Sequence, residues 1–501
     1  MTSTGVEDDT QKPGILARSY ASAQLVWRLK HYIPTVATTA VRYYASSYHE
    51  SWPLGVALFV ALARYSSETS RAQRALNPNK DIDVVEETQK NRKKIEGMLV
   101  SGKLPKNGAI REIEFKVRQR GLGGVLEEAD KEEVNGERVI KAEWSAHDSI
   151  FTTNNSTVTD RVILYLHGGA YCFLSPKTHR PLCLQLSREL NCRVLSVDYR
   201  LSPETKFPGA LHDAVSAYFY LTDELKIPAC QILVGGDSAG GNLATALLLY
   251  LRDSSLPSPA GGILLSPWVD FTTSFSSWDS NASTDYLAID KNDPLVPQPL
   301  FVRSEEDLIH SYVSPSFSGS LEGLPPLIVL AGGGETLRDE ITLFAQRADK
   351  DGVDVTHEVF DGGVHVFVAV MEKGMGKKGI ENIGEWARKE ERFEGVKKVE
   401  SEGWKQVVKD LEEAYEKKQA TLPPKPKKEG EDAREQAQER FVWEESIEDA
   451  PLVKLRGDAH PLAIKVIEEN SRQPHRKGLT KIVRAKRNPK FNGGLLSRLH
   501  L

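Results

Sequence analysis

Residues 231–251 read QILVGGDSAGGNLATALLLYL, and the fold follows from how this stretch divides. Its opening, 232–235, is a short uncharged run, as a strand buried on both faces is. Its end, 241–251, carries apolar residues at three- and four-residue spacing, as a helix does. Between them Gly236, Ser238 and Gly240 form G-x-S-x-G. A turn sharp enough to lift a serine hydroxyl out of a sheet strains its backbone, and flanking residues without side chains let neighbouring chains approach closely. Ser238 is therefore the candidate nucleophile. Asp237, beside it, reads as a turn residue rather than a catalytic acid.

Outward from that turn the same texture repeats. Residues 110–117 and 138–144 alternate apolar and polar positions, as half-exposed strands do, and 161–166 (RVILYL), 193–197, 262–265 and 327–331 are continuous apolar runs. Helix-length patterns lie among them at 209–221, 241–251 and 338–350. Strands alternating with helices predict an α/β fold whose mainly parallel sheet is covered by helices on both faces. The stretch from about 267 to 324 breaks the rhythm with Ser, Asp, Pro and aromatic residues, and is expected to form a cap insertion at the carboxyl edge of the sheet.

A second glycine motif, His167-Gly168-Gly169-Ala170, follows the run RVILYL directly. An acyl-transfer site must stabilise an oxyanion, and unhindered glycine N–H groups can do so without reorganising. The expected donors are Gly168 and Gly169, with the N–H of Ala239 next to the nucleophile.

Together His167-Gly168-Gly169-Ala170, Tyr199-Arg200-Leu201-Ser202-Pro203-Glu204 and Gly236-Asp237-Ser238-Ala239-Gly240-Gly241 resemble the hormonesensitive-lipase-like branch of the α/β hydrolases, which includes carboxylesterases and fungal acetyl-hydrolases. The resemblance covers roughly residues 110–390 and implies hydrolysis of carboxylic esters with no metal or organic cofactor. One departure is Ala170, where the motif often has a further glycine; alanine keeps its N–H. The chain order Ser, Asp or Glu, His leads to His365, in the loop after the strand-like stretch 354–360, as general base. The acid falls in Gly334-Glu335-Thr336-Leu337-Arg338-Asp339. The family pattern aligns it with Glu335 and leaves Asp339 on the following helix. His357 and His310 read as structural, and Asp198 and Glu204 as salt-link residues.

The whole chain carries 65 Lys and Arg against 70 Asp and Glu, a formal charge of −5. That balance points away from nucleic acid as a partner of the catalytic domain. Four cysteines without C-x-x-C or Cys/His spacing indicate neither a disulfide framework nor a zinc module. No Lys-Ser or Lys-Thr follows Gly332, Gly333 and Gly334, so these do not make a phosphate loop. The expected partner is a small-molecule ester. The expected function is esterase or deacetylase chemistry on short-chain or acetyl esters of an apolar alcohol, with a non-catalytic small-molecule receptor on the same fold as the alternative.

Three regions are expected. Residues 1–105 form an N-terminal helical region in which 51–63 (SWPLGVALFVALA) is uncharged; it reads as a buried or interfacial helix or as a tilted membrane anchor. An anchor would favour lipid-like substrates. Candidate locations are thus a membrane, the endoplasmic reticulum included, or the cytoplasm. The charged stretch 80–103 reads as a solvated helix or linker. Residues 106–390 form the hydrolase body. Residues 391–501 form a charged, partly helical extension with a basic tail from 471 onward, read as solvated or as an arm for an anionic surface. Asn154, Asn155 and Asn281 lie in N-x-S/T sequons.

Overall fold

The computed structural model describes residues 30–45, 48–76, 82–100, 105–133, 135–152, 160–287, 293, 295–389, 397–421, 441–448, 453–472 and 478–487. Its strands are β1 Gly108–Lys116, β2 Val139–His147, β3 Val162–Leu166, β4 Arg193–Asp198, β5 Ile232–Asp237, β6 Gly261–Leu265, β7 Leu327–Gly332, β8 Val355–Phe360, β9 Phe441–Glu448 and β10 Thr480–Arg487. They form one sheet in the order β1-β2-β4-β3-β5-β6-β7-β8-β10-β9. Pairing is parallel from β4 across to β10, and antiparallel at the two edges.

The main helices are α1 Ile33–Tyr44, α2 Leu54–Ala75, α3 Val84–Leu99, α4 Pro176–Leu190, α5 Gly209–Phe219, α6 Ala239–Asp253, α7 Arg338–Lys350, α8 Met375–Arg388, α9 Glu402–Thr421 and α10 Pro461–Arg472. Because successive strand residues point to opposite faces, the central strands feed two cores. Val162, Leu164 and Leu166 of β3 face a cluster with Val215 of α5, Leu247 of α6, Phe344 of α7 and Trp404 of α9. Ile163 and Tyr165 face the other, with Leu186 of α4 and Ile383 of α8. Strands apolar at every position are thus the direct product of a sheet covered on both sides.

The segment 51–63 belongs to that second core. Trp52, Val56, Ala57 and Val60 are buried with Phe360 and Phe367, and the Trp52 indole N–H donates to the Gly362 carbonyl at 2.6 Å. Val56 and Val60, so withdrawn from water, each contribute about 1.5–3 kcal/mol. The helix runs on past the apolar stretch through Arg64, Glu68, Arg71 and Arg74, and no helix among the described residues is long and apolar enough to cross a membrane. Of the two readings of 51–63, the buried helix is the one these contacts support.

The region after 390 also differs from the expected charged extension. Strand β10 pairs parallel with β8 and carries β9 outside it, so the central sheet continues through the chain's last described residues. Val483 is fully buried. Three of the basic residues that suggested a solvated arm pair with neighbours, Lys481 with Glu358 and Glu445, Arg484 with Glu448 and Lys486 with Glu444; residues 473–477 and 488–501 of that tail lie outside the described residues. Helix α9 lays Trp404 edge-on against Trp144 of β2. Helix α10 buries Ala463 and Val466 with Phe275, Phe317 and Leu343.

The stretch 267–324 lies between β6 and β7, with short helices at Ser277–Ser280 and Pro297–Phe301. N-terminal elements bind to it. Arg74 of α2 pairs with Asp293 at 2.5 Å, and Phe59 packs edge-on against Tyr286.

Candidate active site

Ser238 sits between the end of β5 and the start of α6 with φ 54° and ψ −122°, a conformation that L residues rarely adopt and that tight packing must hold. The neighbouring glycines show what holds it. A Cβ on Gly240 would stand 2.0 Å from the Leu166 carbonyl oxygen and 2.5 Å from that of His167, and one on Gly236 would stand 2.3 Å from the Gly240 oxygen. The turn is thus pressed against the end of β3 by contacts that no side chain would permit.

The other two sequence-derived residues converge on this hydroxyl. His365 follows β8, and its Nε2 stands 2.9 Å from Ser238 Oγ. On the other side its Nδ1 stands 3.3 Å from Oε2 of Glu335, which follows β7. All three loops leave the same edge of the parallel sheet. Burial, the strongest influence on Glu335, raises its pKa, with the bond to His365 opposing. Burial alone would lower the pKa of His365. The hydrogen bond and charge of Glu335, joined by the charges of Asp285 and Asp237, outweigh it and raise that pKa. A histidine so placed can accept the serine proton and be stabilised when charged.

Asp339 does not reach the histidine. Its carboxylate accepts from Ser276 Oγ, the Ser277 N–H and the Arg338 guanidinium, and so ties α7 to the segment above the sheet.

The glycine loop corrects one expected donor. The Gly168 N–H donates to Asp237 Oδ1 at 3.1 Å, so it is not available to a substrate. A side chain at Gly168 would collide with the same carboxylate, 2.2 Å from Oδ2. Past it the chain turns through Gly169, Ala170 and Tyr171 with φ 117°, 54° and 58°. Three positive φ values in succession turn the chain sharply here. Among the described residues no protein acceptor takes the N–H of Gly169, Ala170 or Ala239.

Asp237 is the buried anchor of this region. It also accepts from the Tyr165 hydroxyl at 2.6 Å and lies 3.2 Å from His179 Nε2. Burial opposes its charge, but His179 and Tyr165 hold its pKa below the ordinary value. His167 stacks on Tyr199, and burial holds its pKa down to about 3, so it is a neutral packing group.

Several residues around the site are not distinguished by motif. Asp285, fully buried, accepts the backbone N–H of His365 at 3.1 Å. Asn281 donates to the Glu335 carbonyl at 2.8 Å and is buried; its sequon is occupied with structure, not exposed for glycosylation. Asn154 and Asn155 lie outside the described residues. Arg92 of α3 donates to the carbonyls of Cys172 and Ser202 at 2.8 and 2.9 Å and pairs with Glu204 at 2.9 Å. Helix α3 is therefore a clamp beside the glycine loop, where its charge pattern suggested a solvated helix or linker. No group of His, Cys, Asp and Glu able to hold a metal ion is found among the described residues.

Residues 163–369 match the model of a family with the α/β hydrolase fold. An acetyl-hydrolase of Streptomyces hygroscopicus is 36% identical over 231 residues, 46% of this chain and 75% of that protein. An arylesterase of Saccharolobus solfataricus is 33% identical over 226 residues, 44% of this chain and 71% of the relative. The crystal structure of an esterase from the bacterial hormone-sensitive lipase family superposes with a TM-score of 0.51 at 33% identity, covering 67% of this chain and 97% of the other. The chain belongs to the α/β hydrolases, in their hormone-sensitive-lipase-like branch, and is a carboxylic-ester hydrolase.

Proposed function

We propose that Ser238, His365 and Glu335 act as nucleophile, general base and orienting acid on short-chain or acetyl esters of an apolar alcohol. The observation that carries this reading is the continuous contact from Ser238 Oγ to His365 Nε2 at 2.9 Å and from His365 Nδ1 to Glu335 at 3.3 Å. His365 takes the serine proton as Oγ attacks the ester carbonyl. The N–H groups of Gly169, Ala170 and Ala239 receive the oxyanion. The protonated imidazole then gives its proton to the departing alcohol, and water, activated by the same base, hydrolyses the acyl-enzyme.

The choice of substrate rests on two supports. Tyr286 places its ring 5.9 Å from that of His365, and Phe59, itself 40% exposed, packs on it at 5.1 Å; this gives the approach to the base an apolar wall. An acetyl-hydrolase and a versiconal hemiacetal acetate esterase of Aspergillus parasiticus, the latter 29% identical over 234 residues, 45% of this chain and 73% of the relative, are among the similar proteins. Steady-state hydrolysis of 4-nitrophenyl esters from acetate to palmitate tests the reading. Rates are expected to peak at the short acyl chains; a peak at palmitate would overturn the acyl-length assignment.

A further inference from the structure

Asp285 lies in the connection from β6 to β7, outside both loops that carry the acid and the base. Its carboxylate is fully buried and accepts four hydrogen bonds. Oδ1 takes the N–H of Tyr286 at 2.8 Å and that of His365 at 3.1 Å. Oδ2 takes the N–H of Thr336 at 2.8 Å and its hydroxyl at 3.1 Å. The four contacts match the lone-pair positions of the two carboxylate oxygens.

Two of these donors are decisive by position. Thr336 follows Glu335 in the chain, and the other N–H is that of His365 itself. A single side chain therefore bridges the main chain of the acid loop and the main chain of the base loop. The bridge is fixed from a third direction as well, because Arg64 of α2 donates to the Asp285 carbonyl at 3.3 Å.

We propose that Asp285 is a positioning residue of this enzyme, setting the spacing between Glu335 and His365 and placing a second negative charge beside the imidazole. The proposal rests on the triad reading given above. The groups that face His365 are Glu335 at Nδ1, Ser238 at Nε2, the Tyr286 ring, and the carboxylates of Asp285 and Asp237. Glu335 is the larger anionic influence and Asp285 the next, so loss of the Asp285 charge makes the imidazolium easier to deprotonate.

The test is Asp285→Asn in the full chain, with kcat and KM for 4-nitrophenyl acetate measured across pH beside the parent and Ser238→Ala. We expect kcat to fall about 10- to 100-fold, as misplaced catalytic groups do, with KM unchanged and the acid limb of kcat moved to lower pH. Asp285→Glu, which restores the charge on a longer arm, should return the limb toward its parent position while kcat stays low. An Asp285→Asn enzyme with parental kcat, or with reduced kcat and an unmoved acid limb, overturns the positioning role. If that variant does not fold, Thr336→Val removes one donor from Oδ2; kcat is expected to drop by about 3-fold or more, and a parental kcat overturns the proposal. Activity retained in Ser238→Ala would bring down the triad reading and this inference with it. Activity lost there while the Asp285→Asn limb stays put brings down this inference alone.

Discussion

The Asp237 carboxylate accepts the Gly168 N–H at 3.1 Å, so the residue before Ser238 holds the loop proposed to supply the oxyanion donors. The same carboxylate meets Tyr165 and His179 without access to water. Asp237→Ala would leave these partners buried and unmatched. Breaking a buried ion pair from one side costs about 3–5 kcal/mol, and a urea unfolding midpoint will read it. The pair also sets a pH window. Asp237 is depressed, so its contribution is present above the ordinary carboxylate range and lost as pH falls through its folded pKa; His179 is raised, so its contribution is complete below its ordinary value and lost as pH rises through the folded one. Their joint contribution is fullest between about pH 4 and 6.5.

Gly240→Ala should destroy the nucleophile turn, because its Cβ would meet backbone oxygens at 2.0 and 2.5 Å that cannot move without displacing β3. Gly97→Ala, in α3 with nothing within 4 Å of the added carbon, should instead leave activity intact and stabilise by about 0.5–1 kcal/mol. Melting temperatures and ester turnover of the two variants check the contrast.

With the His365 pKa raised, turnover should fall as pH drops through a limb above the ordinary imidazole range. Glu335→Gln removes the principal anion, so that limb should move to lower pH while kcat falls by about 10³- to 10⁴-fold, the scale seen when a triad acid is neutralised. A full pH–rate profile of both proteins separates this from simple unfolding.

Val483 of β10 is fully buried against the second core. Val483→Asp should cost at least about 3 kcal/mol, since a charge is placed there without a partner, and should lower the melting temperature of the whole protein in one transition. A variant with parental stability would mean that the region after 390 is separable from the hydrolase body.

The body of the fold was legible because its strands are buried on both faces and its turns need glycine: 161–166 and 232–235 could hardly be read otherwise. Strands β9 and β10 were hidden by the same logic. FVWEESIE carries acids and TKIVRAKR carries bases that neutralise each other across the pair, as Lys486 and Glu444 do, and in one dimension those charges look solvated. Residues Ser238, His365 and Glu335 stood out through motif and chain order. Asp285, Asn281 and Arg92 did not, because their importance comes from backbone groups that approach only in three dimensions. Gly168 was misjudged for a related reason: its glycine makes room for Asp237, not for a substrate oxygen.

Whether the Ser238 hydroxyl is the attacking group is decided by hydrolysis of 4-nitrophenyl acetate by the full chain and by Ser238→Ala. The parent should turn over and the variant should show nothing above background, with both proteins melting at the same temperature. Equal turnover in the two would contradict that role.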